Sequence, residues 1–158
     1  MTVTPKATVV PFVVRASGSG VSQQVEVDGA PGHTFRVDTY PAFGGRDASP
    51  SPLSYALGAL SSCNQITASI VARELGITLG AWSFEVRGDL DTAVMVLGEQ
   101  GNAAFDRVAV SAAVETDATA EQLDRLRSET ERRCPVTQMV RRSVREYVSD
   151  WTARPLPA

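Results

Sequence analysis

Alternation of apolar and polar residues dominates the first forty positions. Residues 9–15 are rich in β-branched side chains, and residues 21–28 place Val21, Gln23, Val25 and Val27 on one face. Residues 33–38 form a third short run of the same kind. Ser17-Gly18-Ser19-Gly20 and Gly29-Ala30-Pro31-Gly32 punctuate these runs, so the pattern predicts a meander of antiparallel strands. Residues 40–51 read as a loop, broken by Pro41, Gly44, Gly45 and Pro50. The period then changes. Leu53, Ala56, Leu57, Leu60, Cys63, Ile66 or Thr67, Ile70 and Val71 form a helical stripe. Ser51 suits its N-cap, Pro52 its first turn and Gly76 its C-cap, which predicts a helix to about Leu75. Small residues such as Ala56, Gly58, Ala59, Ser61 and Ser62 cover the other faces, so this helix is expected to be central and buried.

The second half reads as strands, another helix and a last strand. Residues 77–90 read as a strand with Trp82, Phe84 and Val86 on one face, and residues 91–103 as irregular. Residues 105–116 alternate again through Val108, Val110, Ala112 and Val114. Thr119 and Gln122 have capping-box spacing. The helix that follows is expected to turn Leu123, Leu126, Thr130 and Cys134 inward. Asp124, Arg125, Arg127, Glu129, Glu131 and Arg132 then form a solvated face. Residues 143–151 read as a last strand, followed by a loose tail. Trp82 and Trp151 are expected in the core or at a subunit interface. The paired Arg132-Arg133 and Arg141-Arg142 are read as surface charge.

The 158 residues and a hydrophobic fraction of 43% fit a single domain spanning 1–158 with a real core. No apolar run reaches the ~18 residues of a membrane span. Residues 1–6 lack the pattern of a signal peptide, so a cytoplasmic location is expected. The net charge of −3 argues against nucleic acid as the main partner. Lys6 is the only lysine and His33 the only histidine. That scarcity disfavours Schiff-base chemistry, Ser-His-Asp or Cys-His catalysis and a histidine-rich metal site. Gly44-Gly45 lacks the lysine and the preceding parallel strand of a phosphate loop.

Cys63 and Cys134 remain, 71 positions apart. One reading makes them buried core thiols; a cytosolic chain is not expected to hold a structural disulfide. The other makes them reactive. Cys63 lies about 16 Å into its helix at 1.5 Å per residue, too far for that helix's own dipole to activate it. A cation from elsewhere is then required, with Arg46, Arg15 and Arg36 as candidates. Pro135 disfavours helix at Cys134 and suits a fresh helical turn, which puts Cys134 near an N-cap. If the two helices pack together, the sulfurs meet.

Gly44-Gly45-Arg46-Asp47-Ala48-Ser49-Pro50-Ser51-Pro52-Leu53, then Ala59-Leu60-Ser61-Ser62-Cys63, and finally Cys134-Pro135-Val136-Thr137, resemble the signatures of the OsmC/Ohr family. Val86-Arg87-Gly88-Asp89-Leu90-Asp91 fits the same pattern. The resemblance implies an α+β, OsmC-like fold: two long central helices packed with curved antiparallel sheets in an intertwined homodimer. It implies a thiol-dependent peroxidase acting on small organic hydroperoxides in oxidative-stress defence. Cys63 would be the peroxidatic thiolate and Cys134 the resolving thiol; Arg46, chosen for its place beside the helix start, is the candidate activating cation, with Arg15 as the alternative. An external dithiol such as a lipoylated protein would restore both thiols, with no metal or organic cofactor. Two positions depart from the family's peroxidases. Leu53 stands where they place glutamate, and the Ser17–Gly20 turn lacks their arginine. The alternatives are an OsmC-like protein binding a small apolar ligand at its dimer interface without efficient peroxidase activity, and a structural domain with inert cysteines.

Overall fold

The computed structural model of the chain describes residues 8–29 and 31–157, so the readings made on residues 1–6 and on Ala30 lie outside the described residues. The chain divides into two units, Met1–Tyr55 and Ala56–Ala158. The first carries an antiparallel sheet in the order β1 (Val14–Ser19), β2 (Ser22–Val27), β3 (Thr34–Val37). The meander is as expected, but its first turn is tighter. Ser17, Gly18 and Ser19 belong to β1, and the reversal falls at Gly20 and Val21, with Ser19 opposite Ser22. Gly20 takes the left-handed φ of 60° that such a turn needs. Gly18 is needed for close approach, because a Cβ there would lie 2.2 Å from the Ser22 carbonyl oxygen. Among the described residues the ladder begins at Val14, preceded by one backbone bond from the Asp28 amide to the Val13 carbonyl (2.9 Å), so β1 starts at Val14 rather than Val9.

Asp38 organises the loop that follows. It is 2% exposed, and its carboxylate accepts the Ser22 hydroxyl (3.0 Å) and the Arg46 and Ala48 amides (3.1 and 3.0 Å). Asp47 between those amides sits at a left-handed φ of 54°. Ser51 caps the helix as its sequence suggested: its hydroxyl accepts the Ser54 amide at 3.2 Å.

Helix α1 spans Pro52–Leu75. Gly76 ends it at φ 68°, and the Ile77 amide reaches back to the Ala72 carbonyl at 2.9 Å, a Schellman closure. The buried face is rotated from the expected stripe. Leu60, Asn64, Thr67, Ala68, Val71 and Ala72 are buried, whereas Leu53, Ile66 and Ile70 are 40%, 64% and 38% exposed. Counting apolar side chains alone misplaced the stripe, because Asn64 and Thr67 lie on the inner face and the isoleucines on the outer one.

The second unit's sheet has the order β4 (Leu79–Asp89), β5 (Arg107–Thr116), β6 (Glu146–Arg154). β4 and β5 pair antiparallel; β6 runs parallel to β5. A parallel neighbour needs a crossover, supplied here by α2 (Ala120–Arg133) and α3 (Pro135–Ser143). The last strand starts later than the sequence suggested, because Ser143 completes α3, and it extends to Arg154 because β5 offers a partner as far as Glu115. Residues 91–103 are irregular as expected, apart from one wide helical turn at Ala93–Leu97. Along β5, Val108, Val110, Ala112 and Val114 all point into the core, at 0 to 4% exposure. Trp151 is buried and meets Trp82 edge-on, with ring centroids 5.2 Å apart. Leu123, Leu126, Thr130 and Cys134 face inward as expected, but Glu131 is buried too, a correction taken up below.

Leu126 is fully buried in the cluster with Val71, Val114 and Trp151. Leu126→Ala should lower unfolding stability in urea by about 2–5 kcal/mol; an unchanged midpoint would contradict this packing. The amide bonds from Ala48 and Thr39, the two largest causes, hold the Asp38 carboxyl at about 2 against an ordinary 3.8. A lowered carboxyl stabilises the fold above the ordinary value, and that contribution is lost as pH falls from 3.8 through about 2. NMR titration of Asp38 should therefore give a midpoint about 2; one near 3.8 would refute the loop's hydrogen bonding.

Candidate active site

The junction of α2 and α3 is built by Pro135. Its ring cannot continue α2, so Cys134 takes an extended conformation (φ −73°, ψ 115°) and serves both as C-cap of α2 and N-cap of α3. The fresh helical start expected from the sequence is present. A helix start leaves amide donors without intrahelical partners, and burial demands that each find one. Pro135 has no amide to offer. The Thr137 amide donates to Cys134 Sγ at 3.4 Å, and the Gln138 amide to the Cys134 carbonyl at 3.0 Å. The remaining donor, the Val136 amide, faces the Cys63 sulfur. The first turn of α3 is thus shared between the two thiols.

Cys63 is half-buried on α1 and Cys134 is fully buried; both are free. The Cys134 sulfur lies near enough to Cys63 to influence its ionisation. Burial pushes the Cys63 thiol above its ordinary 9.0, and the adjacent Cys134 sulfur adds to the rise. The Val136 amide and the Thr67 hydroxyl pull the other way without prevailing. Burial therefore outweighs the amide, and α3 alone does not make Cys63 a thiolate.

Polar groups that sequence reasoning passed over surround this pair. Asn64, next to Cys63, is fully buried; its Nδ2 donates to the Leu60 carbonyl at 2.8 Å and to Thr137 Oγ1 at 3.1 Å. The signal was present in the spacing Leu60, Asn64, Thr67, Val71, which puts an amide on the inward face. Glu131, read from the sequence as solvated, is 6% exposed. Its carboxylate pairs with Arg127 at 3.3 Å and Arg141 at 3.4 Å, and the Arg141 guanidinium lies 5.6 Å from the Tyr147 ring centroid. A buried carboxylate is tolerated when paired in this way. Arg133 and Arg132 are surface pairs, with Glu74 and Glu129.

Cys63 and Cys134 are therefore brought together. Arg46 stands in the first unit. Its backbone is tied to Asp38, its side chain is exposed, and it pairs with no carboxylate among the described residues. It borders an open cavity of about 450 Å³ that Ser17, Arg36, Asp38 and Ser49 also line. Arg15 is engaged by Asp28 at 3.2 Å. Leu53 occupies the first turn of α1, which carries no acidic residue.

The family model described as "OsmC-like protein" matches residues 44–147, a span holding both cysteines and Arg46. No curated protein sequence matches the chain. Among solved structures, an OsmC-like protein from Mycoplasma pneumoniae superposes with a TM-score of 0.75 at 15% identity, over 91% of this chain and 97% of that one. An organic hydroperoxide resistance protein from Elizabethkingia anophelis gives 0.72 at 18% identity, over 94% and 100%. The organic hydroperoxide resistance protein OhrB of Bacillus subtilis gives 0.60 at 18%, over 92% and 98%. At these identities the likeness concerns the fold: α+β and OsmC-like, as the sequence motifs implied. Matched by the family model over more than half of its length, the chain belongs to the OsmC-like protein family.

Proposed function

We propose that the chain is a thiol-dependent peroxidase that reduces organic hydroperoxides. The observation that carries this reading is the pair of thiols sharing one helix start, Cys63 on the Val136 amide and Cys134 on the Thr137 amide. In the first step the Cys63 thiolate attacks the terminal peroxide oxygen. The O–O bond breaks, Cys63 becomes a sulfenic acid, and the alkoxide leaves as an alcohol after taking a proton. In the second step the Cys134 sulfur attacks the sulfenic sulfur, a disulfide forms and water leaves. An external dithiol then reduces the disulfide and is itself oxidised. Leu57, Leu60, Val136 and Val140 belong to one apolar cluster beside Cys63, which supports a preference for organic over hydrogen peroxide.

The cation that offsets the burial of Cys63 is assigned to Arg46, and the working unit to a cytoplasmic homodimer. The dimer reading is supported by apolar side chains left open on the single chain: Val10, Phe12 and Val14 at 63%, 95% and 60% exposure, and Ile66 at 64%. Both units then serve as one domain. Among the described residues no helix is long and apolar enough to cross a membrane. The first turn of α1, with Leu53 and no carboxylate, favours a second reading: a family member that binds a small apolar ligand without efficient peroxidase activity.

Hydroperoxide consumption under an excess of dithiol separates the two. Wild type should consume cumene hydroperoxide faster than hydrogen peroxide. Cys63→Ser should lower the rate at least ~100-fold. Arg46→Ala should lower it with the pH profile displaced upward, and the wild-type rate should climb with pH from about 7 toward 9 as the thiol ionises. Turnover indifferent to Cys63→Ser would overturn the peroxidase reading, and no turnover would leave the ligand-binding reading in its place.

A further inference from the structure

Asn64 and Thr137 do for the site what neither sulfur does for itself. Asn64 follows Cys63 itself, and Thr137 follows Val136, whose amide faces that sulfur. Both side chains are fully buried. Among the described residues, their 3.1 Å contact is the one hydrogen bond between two side chains that joins α1 to α3. Thr137 is engaged twice, because its amide also donates to Cys134 Sγ. The remaining atom of the Asn64 amide, Oδ1, is buried with no partner among the described residues, so the side chain is retained at a desolvation cost. A leucine at 64 would fill a helix face already lined by Leu60 and Val71 without that penalty. Asn64 is therefore poorly explained as packing.

We propose that Asn64 is a positioning residue: its bond to Thr137 fixes the first turn of α3 over Cys63, so that the Val136 amide meets the Cys63 sulfur and Cys134 lies ready to close on it. This rests on the reading of Cys63 and Cys134 as the reacting pair. The bond's leverage comes from its place. Amides at a helix start favour negative charge only within the first turn, so a small displacement of α3 removes the Val136 contribution. The other titratable and charged groups near the pair lie behind Cys134: Glu131 on α2, Arg141 on α3 and Tyr147 on β6. Of these, Tyr147 is within reach of the Thr137 hydroxyl, which Thr137→Ser retains; Asn64→Leu replaces no partner of any of the three.

The test is alkylation of the reduced full chain by iodoacetamide across pH, with Cys63 and Cys134 resolved by peptide mass. Asn64→Leu and Thr137→Val should each move the Cys63 midpoint up by ~0.5–1 pH unit, as expected for loss of one hydrogen bond to the charged form. The double variant should show no further shift, because the two residues act through one bond. Thr137→Ser should keep the wild-type midpoint. A Cys63 midpoint unchanged in folded Asn64→Leu and Thr137→Val would overturn the proposal, as would additive shifts in the double variant. Should Asn64→Leu fail to fold, the contrast between Thr137→Val and Thr137→Ser decides alone. No hydroperoxide enters this measurement, so a protein inert to hydroperoxide fails the peroxidase reading and still answers this question.

Discussion

The arrangement depends on the amide donors of one helix turn. Pro135 ends α2 and removes its own donor, leaving the Val136 and Thr137 amides without helical partners and in need of acceptors. Two sulfurs supply them. Much else follows from that requirement. α1 must come close enough to bring Cys63 to Val136. The crossover through α2 and α3 must return the chain to a strand parallel to β5, which Val108 and Val110 on one side and Leu60 on the other consolidate. The two core clusters together fix the helices on the sheet that carries them.

Magnitudes decide how far this turn activates the site. Desolvation is the largest influence on the Cys63 thiol and the Cys134 sulfur is the next, both upward; the Val136 amide only moderates them. A shared helix start is thus enough to align two thiols, but it does not by itself hold one ionised. A cation has to add to it, the part that the proposed peroxidase assigns to Arg46. The buried Glu131 shows how the same unit treats a charge it does keep: it brackets the carboxylate between Arg127 and Arg141 and leaves Tyr147 against one of them.

Much of this was legible in the sequence where local chemistry is strong. Pro135 after Cys134, Ser51-Pro52 before α1 and Gly76 after it each act within a turn of the chain, and each lies where its chemistry suggested. The alternation of β5 was equally plain, because one face is buried along its whole length. Tertiary partners were the part that stayed hidden. Glu131 belongs by type to a solvated helix face and is buried only because Arg141 reaches it from another helix. Asn64 reads as polar filler until Thr137, 73 positions away, is seen to accept its hydrogen bond. The inner stripe of α1 was misplaced for the same reason. The motifs announced the two cysteines, yet the role of Val136 is played by a backbone amide, which no side-chain pattern reveals.

The central claim is that Cys63 and Cys134 form one redox pair within a single chain. Its most direct measurement is the intact mass and disulfide peptide map of the reduced protein after one equivalent of an organic hydroperoxide. The expected result is a loss of about two mass units as both thiols lose hydrogen, with the Cys63 and Cys134 peptides joined within one chain. An unchanged mass with both thiols still free, or Cys63 carried to sulfinic acid while Cys134 remains reduced, would contradict it.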